Sequence, residues 1–208
     1  VYTPDFAYRG EVISASLKVE DGHGVKSVAI DLLSAGGDLT PLSLDSDNGR
    51  WTGQFVLPDS VAPGLRTIPI QVEDNQGATA IIDGGSVVQV LNEAPEITNV
   101  SFFDESEWVS IIEIPKSGEK TYTMEVSISD PDGVSSAQAK IGRTAPIGKS
   151  ETWLLLNDDG KDGDRVAGDG IYSIQIDVRS SLSEGEINYL VRGSDIFQSI
   201  TPADSQTY

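Results

Sequence analysis

There is no cysteine among the 208 residues of this chain. That excludes a disulfide framework, a thiolate nucleophile and any Cys-ligated metal site, so rigidity has to come from packing or from bound ions. Histidine is nearly as scarce: His23 is the only one, and it sits in a "DGHG" turn. A Ser-His-Asp triad needs a fixed partner geometry that such a turn does not supply, so no catalytic residue is expected. Positive charge is thin as well, with 14 Lys and Arg against 33 Asp and Glu and a formal net charge of -19. Such a surface repels phosphate backbones and anionic bilayers. Nucleic acid and direct membrane contact therefore leave the set of expected partners, and cations become the natural company. No window approaches the ~20 apolar residues of a membrane-spanning helix.

Amphipathic helical stripes are missing too. Instead, apolar residues alternate: Ile13, Ala15, Leu17 and Val19; then Val28, Ile30 and Leu32; then Trp51, Phe55 and Leu57; then Ile68, Ile70 and Val72. Period-two alternation marks half-buried strands. Between the runs lie "EDGHG", "DSDNG" and "LPDSVAPG", turn clusters at the short spacing of an all-β sandwich.

The same order is written twice. "VEDGHGVKSVAIDL" (19–32) aligns with "ISDPDGVSSAQAKI" (128–141) at an offset of 109, bringing Asp21 onto Asp130 and Gly24 onto Gly133. "NGRWTGQFVL" (48–57) aligns with "DGIYSIQIDV" (169–178) at an offset of 121, and at that offset Asp74 meets Asp195. Turn residues and inward positions stay in register together, as an internal repeat requires. The boundary falls in "VLNEAPEI", where Pro95 restarts an extended segment. The expected fold is all-β: two tandem immunoglobulin-like antiparallel β-sandwiches, residues 1–92 and 93–208. The offset of 109 carries Val1 onto Ser110, so the "APEITNVSFF" run has no expected counterpart ahead of the first sandwich.

The offset grows by 12 residues between Leu32 and Asn48, and the gain falls on or near the stretch "NDDGKDGDRVAGDGIYS" (157–173). There a long acidic loop replaces the tight "DSDNGRW" turn of the first half. Aspartates 158, 159, 162, 164 and 169 repel one another unless a cation compensates, and glycines 160, 163, 168 and 170 let the backbone fold back to converge them. Hard oxygen donors without His or Cys select calcium. The expected main ligands are Asp158, Asp162 and Asp164, with Asn157 and Asp159 as supplements. Asp169 completes the candidate set, although its counterpart Asn48 gives it a turn role as well. The spacing is not that of an EF-hand. A reading without metal stays open, in which these aspartates form Asx turns and cap strands. Asp130 and Asp132 in "DPDG" carry the same pair of readings, turn or second ion.

Lacking the Cys and Trp spacing of antibody domains, the tandem sandwiches resemble the immunoglobulin-like or fibronectin-III-like repeats of prokaryotic cell-surface proteins, of surface-layer (S-layer) or adhesin type. The run D-D-G-x-x-G-D-x-x-x-G-D-G-x-Y, from Asp158 through Tyr172, looks like an acidic loop recurring in extracellular prokaryotic β-sandwich modules. The resemblance implies calcium in this loop and a secreted, cell-surface location. It also implies a non-enzymatic structural or adhesive role, with neighbouring copies or further repeats of the same protein as partners. A different class is an accessory or carbohydrate-binding module of a secreted carbohydrate-active enzyme. In that case Trp108 or Trp153 contacts glycan, Trp51 being expected in the core.

Overall fold

The computed structural model describes residues 1–83 and 87–201 in full and the backbone of 204–207. It divides into two compact units, Val1–Asn92 and Glu93–Tyr208. Unit 1 runs β1 (Tyr2–Thr3), β2 (Phe6–Ala7), β3 (Val12–Leu17), β4 (Val25–Asp31), β5 (Leu39–Pro41), β6 (Ser43–Asp45), β7 (Arg50–Val56), β8 (Gly64–Thr67), β9 (Ile70–Asp74), β10 (Thr79–Ile82) and β11 (Val87–Val90). These build the sheets β1-β3-β7-β6 and β10-β9-β4-β5, with a small β2-β11-β8 sheet beside them. Among the described residues every ladder of the chain is antiparallel except β2 with β11.

The alternation decides which faces meet. Ile13, Ala15 and Leu17 of β3, Val28 and Ile30 of β4, Trp51 and Phe55 of β7 and Val72 of β9 are buried in one core. Each such large side chain taken out of water contributes roughly 1.5–3 kcal/mol, and that drives the two faces together. Gly53 lies on the same face, between Trp51 and Phe55, because a Cβ there would stand 2.7 Å from Leu42 Cδ2.

Unit 2 runs β12 (Glu96–Asp104), β13 (Glu107–Trp108), β14 (Glu119–Ser129), β15 (Val134–Lys140), β16 (Leu154–Leu156), β17 (Ile171–Arg179), β18 (Asn188–Asp195) and β19 (Asp204–Thr207). Its sheets are β13-β12-β14-β17 and β16-β15-β18-β19. Tyr122, Met124, Val126 and Ile128 of β14 pack with Ile176 and Val178 of β17 and with Ala137 and Ala139 of β15. Phe102 closes this core edge-on against Tyr189 at 5.5 Å. The protein is thus an all-β pair of antiparallel, immunoglobulin-like sandwiches.

The repeat survives in detail. β4 and β15 stand at the offset of 109 residue for residue, as do the single 3-10 turns Leu33–Ala35 and Gly142–Thr144 that follow them. Both strands carry the same bulge: Val25 faces Asp74 and Ser27 faces Glu73, while Val134 faces Asp195 and Ser136 faces Ser194. Two expectations need correction. β1 pairs with β3 as β12 pairs with β14, so unit 1 does have a first strand, shortened to two-residue pieces too brief to show periodicity. The 12-residue gain is also split. Pro41 faces Ala29 as Leu155 faces Gln138, an offset of 114, so five extra residues precede β16 and only seven belong to the acidic loop.

Candidate metal sites

The acidic loop begins where β16 ends. Asn157 bridges Ser173 of β17 through two backbone hydrogen bonds of 2.9 and 2.8 Å, so the intervening chain must leave the strand and return to it. Asp158 closes the return: its Oδ1 accepts from the amides of Gly168 (2.6 Å) and Asp169 (3.2 Å), and its Oδ2 from that of Gly170 (3.1 Å). Asp164, 8% exposed, accepts from the amides of Gly160 and Val166. Asp159 accepts from Lys161 at 3.2 Å, and Asp169 Oδ1 from Ile171 at 2.9 Å, the bond that Asn48 Oδ1 makes with Arg50 in unit 1. Gly168 and Gly170 have φ of +75° and +79°, the left-handed backbone that turns these amides toward Asp158.

Carboxylate oxygens of Asp158, Asp164 and Asp169 lie within 4.8 Å of one another. Asp159 and Asp162 stand outside this group; Asp162 is exposed, with φ of 49°. The donors that converge are therefore Asp158, Asp164 and Asp169, with Asn157 beside them at the root of the loop. The set is oxygen-only and carries three negative charges, which suits a hard divalent cation. The loop is pinned to the outer face of the β14–β17 ladder. The guanidinium of Arg165 lies 4.3 Å from the centre of the Phe103 ring and 2.9 Å from Glu125, whose side chain is 12% exposed. Gly163 rests on Thr123 and Gln175 so closely that a Cβ would meet them at 3.0–3.2 Å. Ser173, at the root of the loop, is buried, and among the described residues its Oγ has no hydrogen-bond partner. Burial, and then the charge of Asp158, push the phenol of Tyr172 above its usual range.

Two further clusters occupy corresponding positions in the two units: Asp21, His23 and Asp74 in unit 1, and Asp130, Asp132 and Asp195 in unit 2. Their scaffolds match. Asp21 Oδ1 accepts from the amide of His23 and Asp130 Oδ1 from that of Asp132, each at 2.8 Å. Asp74 Oδ1 accepts from Gln76 and Ala78, as Asp195 Oδ1 accepts from Phe197 and Ser199. The repeat had aligned Asp74 with Asp195, but only the shared bulge reveals that each faces the turn far upstream.

The tryptophans separate. Trp51 is buried in the core. Trp153 is covered by two cations, with Arg192 4.1 Å and Lys140 5.3 Å from its ring centre. Trp108 is 62% exposed on the β12–β13 hairpin.

No family model matches the chain, and no curated protein does. Among solved structures it is similar to the fibronectin(III)-like modules of Clostridium thermocellum CbhA, at 16% identity over 99% of this chain and 90% of that one, with a TM-score of 0.28. It is similar also to the D00-D0 domain of intimin, at 13% identity over 98% and 94% of the two chains, TM-score 0.31. A third is a tetra-tandem repeat from the extending region of a large adhesion protein, at 15% identity over 95% of this chain and 44% of that one, TM-score 0.43.

Proposed function

We propose that the chain is a non-enzymatic structural or adhesive segment of an extracellular, cell-surface protein, with unit 2 stiffened by calcium. The observation that carries the reading is the seven-residue enlargement of one turn, which brings Asp158, Asp164 and Asp169 to within 4.8 Å in an otherwise repeated sandwich. Without cysteine the chain has no disulfide to stiffen it, and a bound ion would add rigidity by another route. Asp158, Asp164 and Asp169 would hold the calcium, with Asn157 as a supplement and carbonyl or water oxygens completing the shell. Calcium supplies charge neutralisation here. The chain's own groups do the positioning, through the amides on Asp158 and the Arg165 anchor. Partners in this reading are neighbouring copies or further repeats of the same protein.

The test is calorimetry with and without chelator. A ligand held only by the folded state at about 100 times its dissociation constant adds roughly 2.7 kcal/mol, several degrees for a domain of this size. Chelation is expected to lower the melting transition of unit 2 and leave that of unit 1 in place. Superimposable traces would remove the stiffening role. One observation favours a second reading, glycan contact: the exposed ring of Trp108. Retention on a glycan array that is lost in Trp108→Ala would favour it, whereas self-association in calcium without glycan binding favours the first.

A further inference from the structure

We infer that the outer face of the β15–β18 ladder in unit 2 is a binding site for a carboxylated saccharide, read by Arg192 and Lys140. The site is separate from the acidic loop and from Trp108, so it stands or falls apart from the calcium reading. The pointer in the sequence is an absence. Residues 133–150 form the longest run without Asp or Glu in a chain that carries 33 of them, and the run holds Lys140, Arg143 and Lys149. Alternation on the two strands sends Ala137, Ala139, Tyr189 and Val191 into the core and leaves Ser136, Gln138, Lys140, Arg192 and Ser194 on the other side. Gln138 faces Arg192 across the ladder, and Ser136 faces Ser194.

The repeat supplies a control. The offsets of 109 and 121 set Lys140 at the position of Asp31, Arg192 at that of Gln71 and Ser194 at that of Glu73. Unit 1 therefore has two acids on this face, Asp31 and Glu73, and its Lys26 is already committed to Glu73 at 2.6 Å. Unit 2 has lost both acids and gained two cations. The sandwich forms with either set, so packing does not demand the cations.

Arg192 is held in place by two neighbours. Its guanidinium lies 4.1 Å from the centre of the Trp153 ring, and Nε and Nη2 both donate to Gln138 Oε1, at 2.9 and 2.6 Å. These contacts fix the plane of the group and leave its Nη1–Nη2 edge, and among the described residues no carboxylate pairs with Arg192. Such an edge fits both oxygens of one carboxylate. Lys140, 5.3 Å from the same ring, adds a second positive charge; its pair with Glu151 at 3.7 Å is weak, because the acid is 89% exposed. A hollow of about 260 Å³ opens beside Arg192, lined by Ser136, Gln138, Ser194, Gln198 and Ile200. Hydroxyls and amides around a guanidinium match the ring hydroxyls and the carboxylate of an acidic sugar. At physiological ionic strength charges beyond roughly 8 Å are largely screened, so at contact these two cations count for more than the distant acids behind the net charge of -19.

The experiment is an NMR titration of the isotope-labelled full chain, in calcium, with sodium glucuronate and with N-acetylneuraminic acid, and with glucose as the neutral control. The indole signal of Trp153, identified by its loss in Trp153→Phe, and the Nε signal of Arg192 report the site. The expected result is saturable movement of both signals with at least one of the two acids, weakened by added salt, and none with glucose. The acid that saturates at the lower concentration tells a uronate polymer from a sialylated glycan as the source. Arg192→Gln should weaken binding by at least about tenfold and Arg192→Lys by less, because Lys keeps the charge but not the fork. Ser194→Glu, which gives this face the acid that unit 1 carries at Glu73, should weaken it as well. The repeated fold already accepts that acid, so unit 2 of this variant is expected to melt as the parent does, which separates ligand loss from misfolding. Signals that stay in place with both acids, equal movement with glucose, or an affinity unchanged in Arg192→Gln would overturn the site. Movement with a poly-aspartate peptide alone would overturn it too, by making the face a protein-docking surface.

Discussion

At the residue scale, each acidic side chain of the loop has a distinct job, and single substitutions tell them apart. Asp164→Ala removes both a converging carboxylate and the acceptor of the Gly160 and Val166 amides, so the calcium-dependent gain in melting temperature should vanish. Asp162→Ala should leave that gain in place, since Asp162 is exposed and outside the converging group; equal losses in the two variants would contradict this assignment. Gly163→Ala is expected to cost ~1–3 kcal/mol in chemical denaturation, because φ is +104° and Thr123 stands where the methyl would go. In unit 1 the buried phenol of Tyr2 donates to Ile68 O at 3.3 Å, and burial pushes its pKa up to about 12. A raised folded-state value means that the stability tied to the protonated phenol is complete below the unfolded value of about 10 and is lost as pH rises through 12. Melting curves above pH ~10 should therefore fall more steeply for the parent than for Tyr2→Phe, which keeps the ring against Phe55.

At the element scale, the loop is an addition to a hairpin that already works in unit 1. Leu42, just past β5, and Leu156, the last residue of β16, are both buried at matching positions, and Ser43 faces Thr52 as Asn157 faces Ser173. Replacing residues 158–169 with the five residues 44–48 should therefore leave the β-sheet circular dichroism of unit 2 intact while abolishing its calcium response. Loss of the sheet signal would mean that the loop is part of the fold itself. Arg165 is the tether: Arg165→Ala removes the contact with Phe103 and leaves Glu125 without its ion pair, a cost of roughly 1 kcal/mol. Faster proteolysis within 157–170, with the rest of unit 2 protected, is the expected readout.

At the scale of the whole molecule, each unit has its own hydrophobic core, so each should melt as its own cooperative transition and calcium should move only one of them. The net charge of -19 works against both compact states through self-repulsion, and added monovalent salt should raise both melting temperatures by screening it. By itself the sequence determined the fold class, because alternation states which side of a strand each residue takes: Ile13, Ala15 and Leu17 lie in the core as their spacing requires. The repeat and the Gly- and Asp-rich turns were legible for the same reason, since both are encoded in near neighbours. Only the tertiary structure decided which carboxylates meet. The amides of Gly168, Asp169 and Gly170 close on Asp158 and so bring Asp169 to the cluster in place of Asp162, while a bulge sets Asp74 against a turn far upstream. It also laid Arg192 and Lys140 over Trp153, which sequence spacing left open to glycan. Such meetings depend on the bulge in a strand and on the path of a returning loop, which residue spacing along the chain does not record.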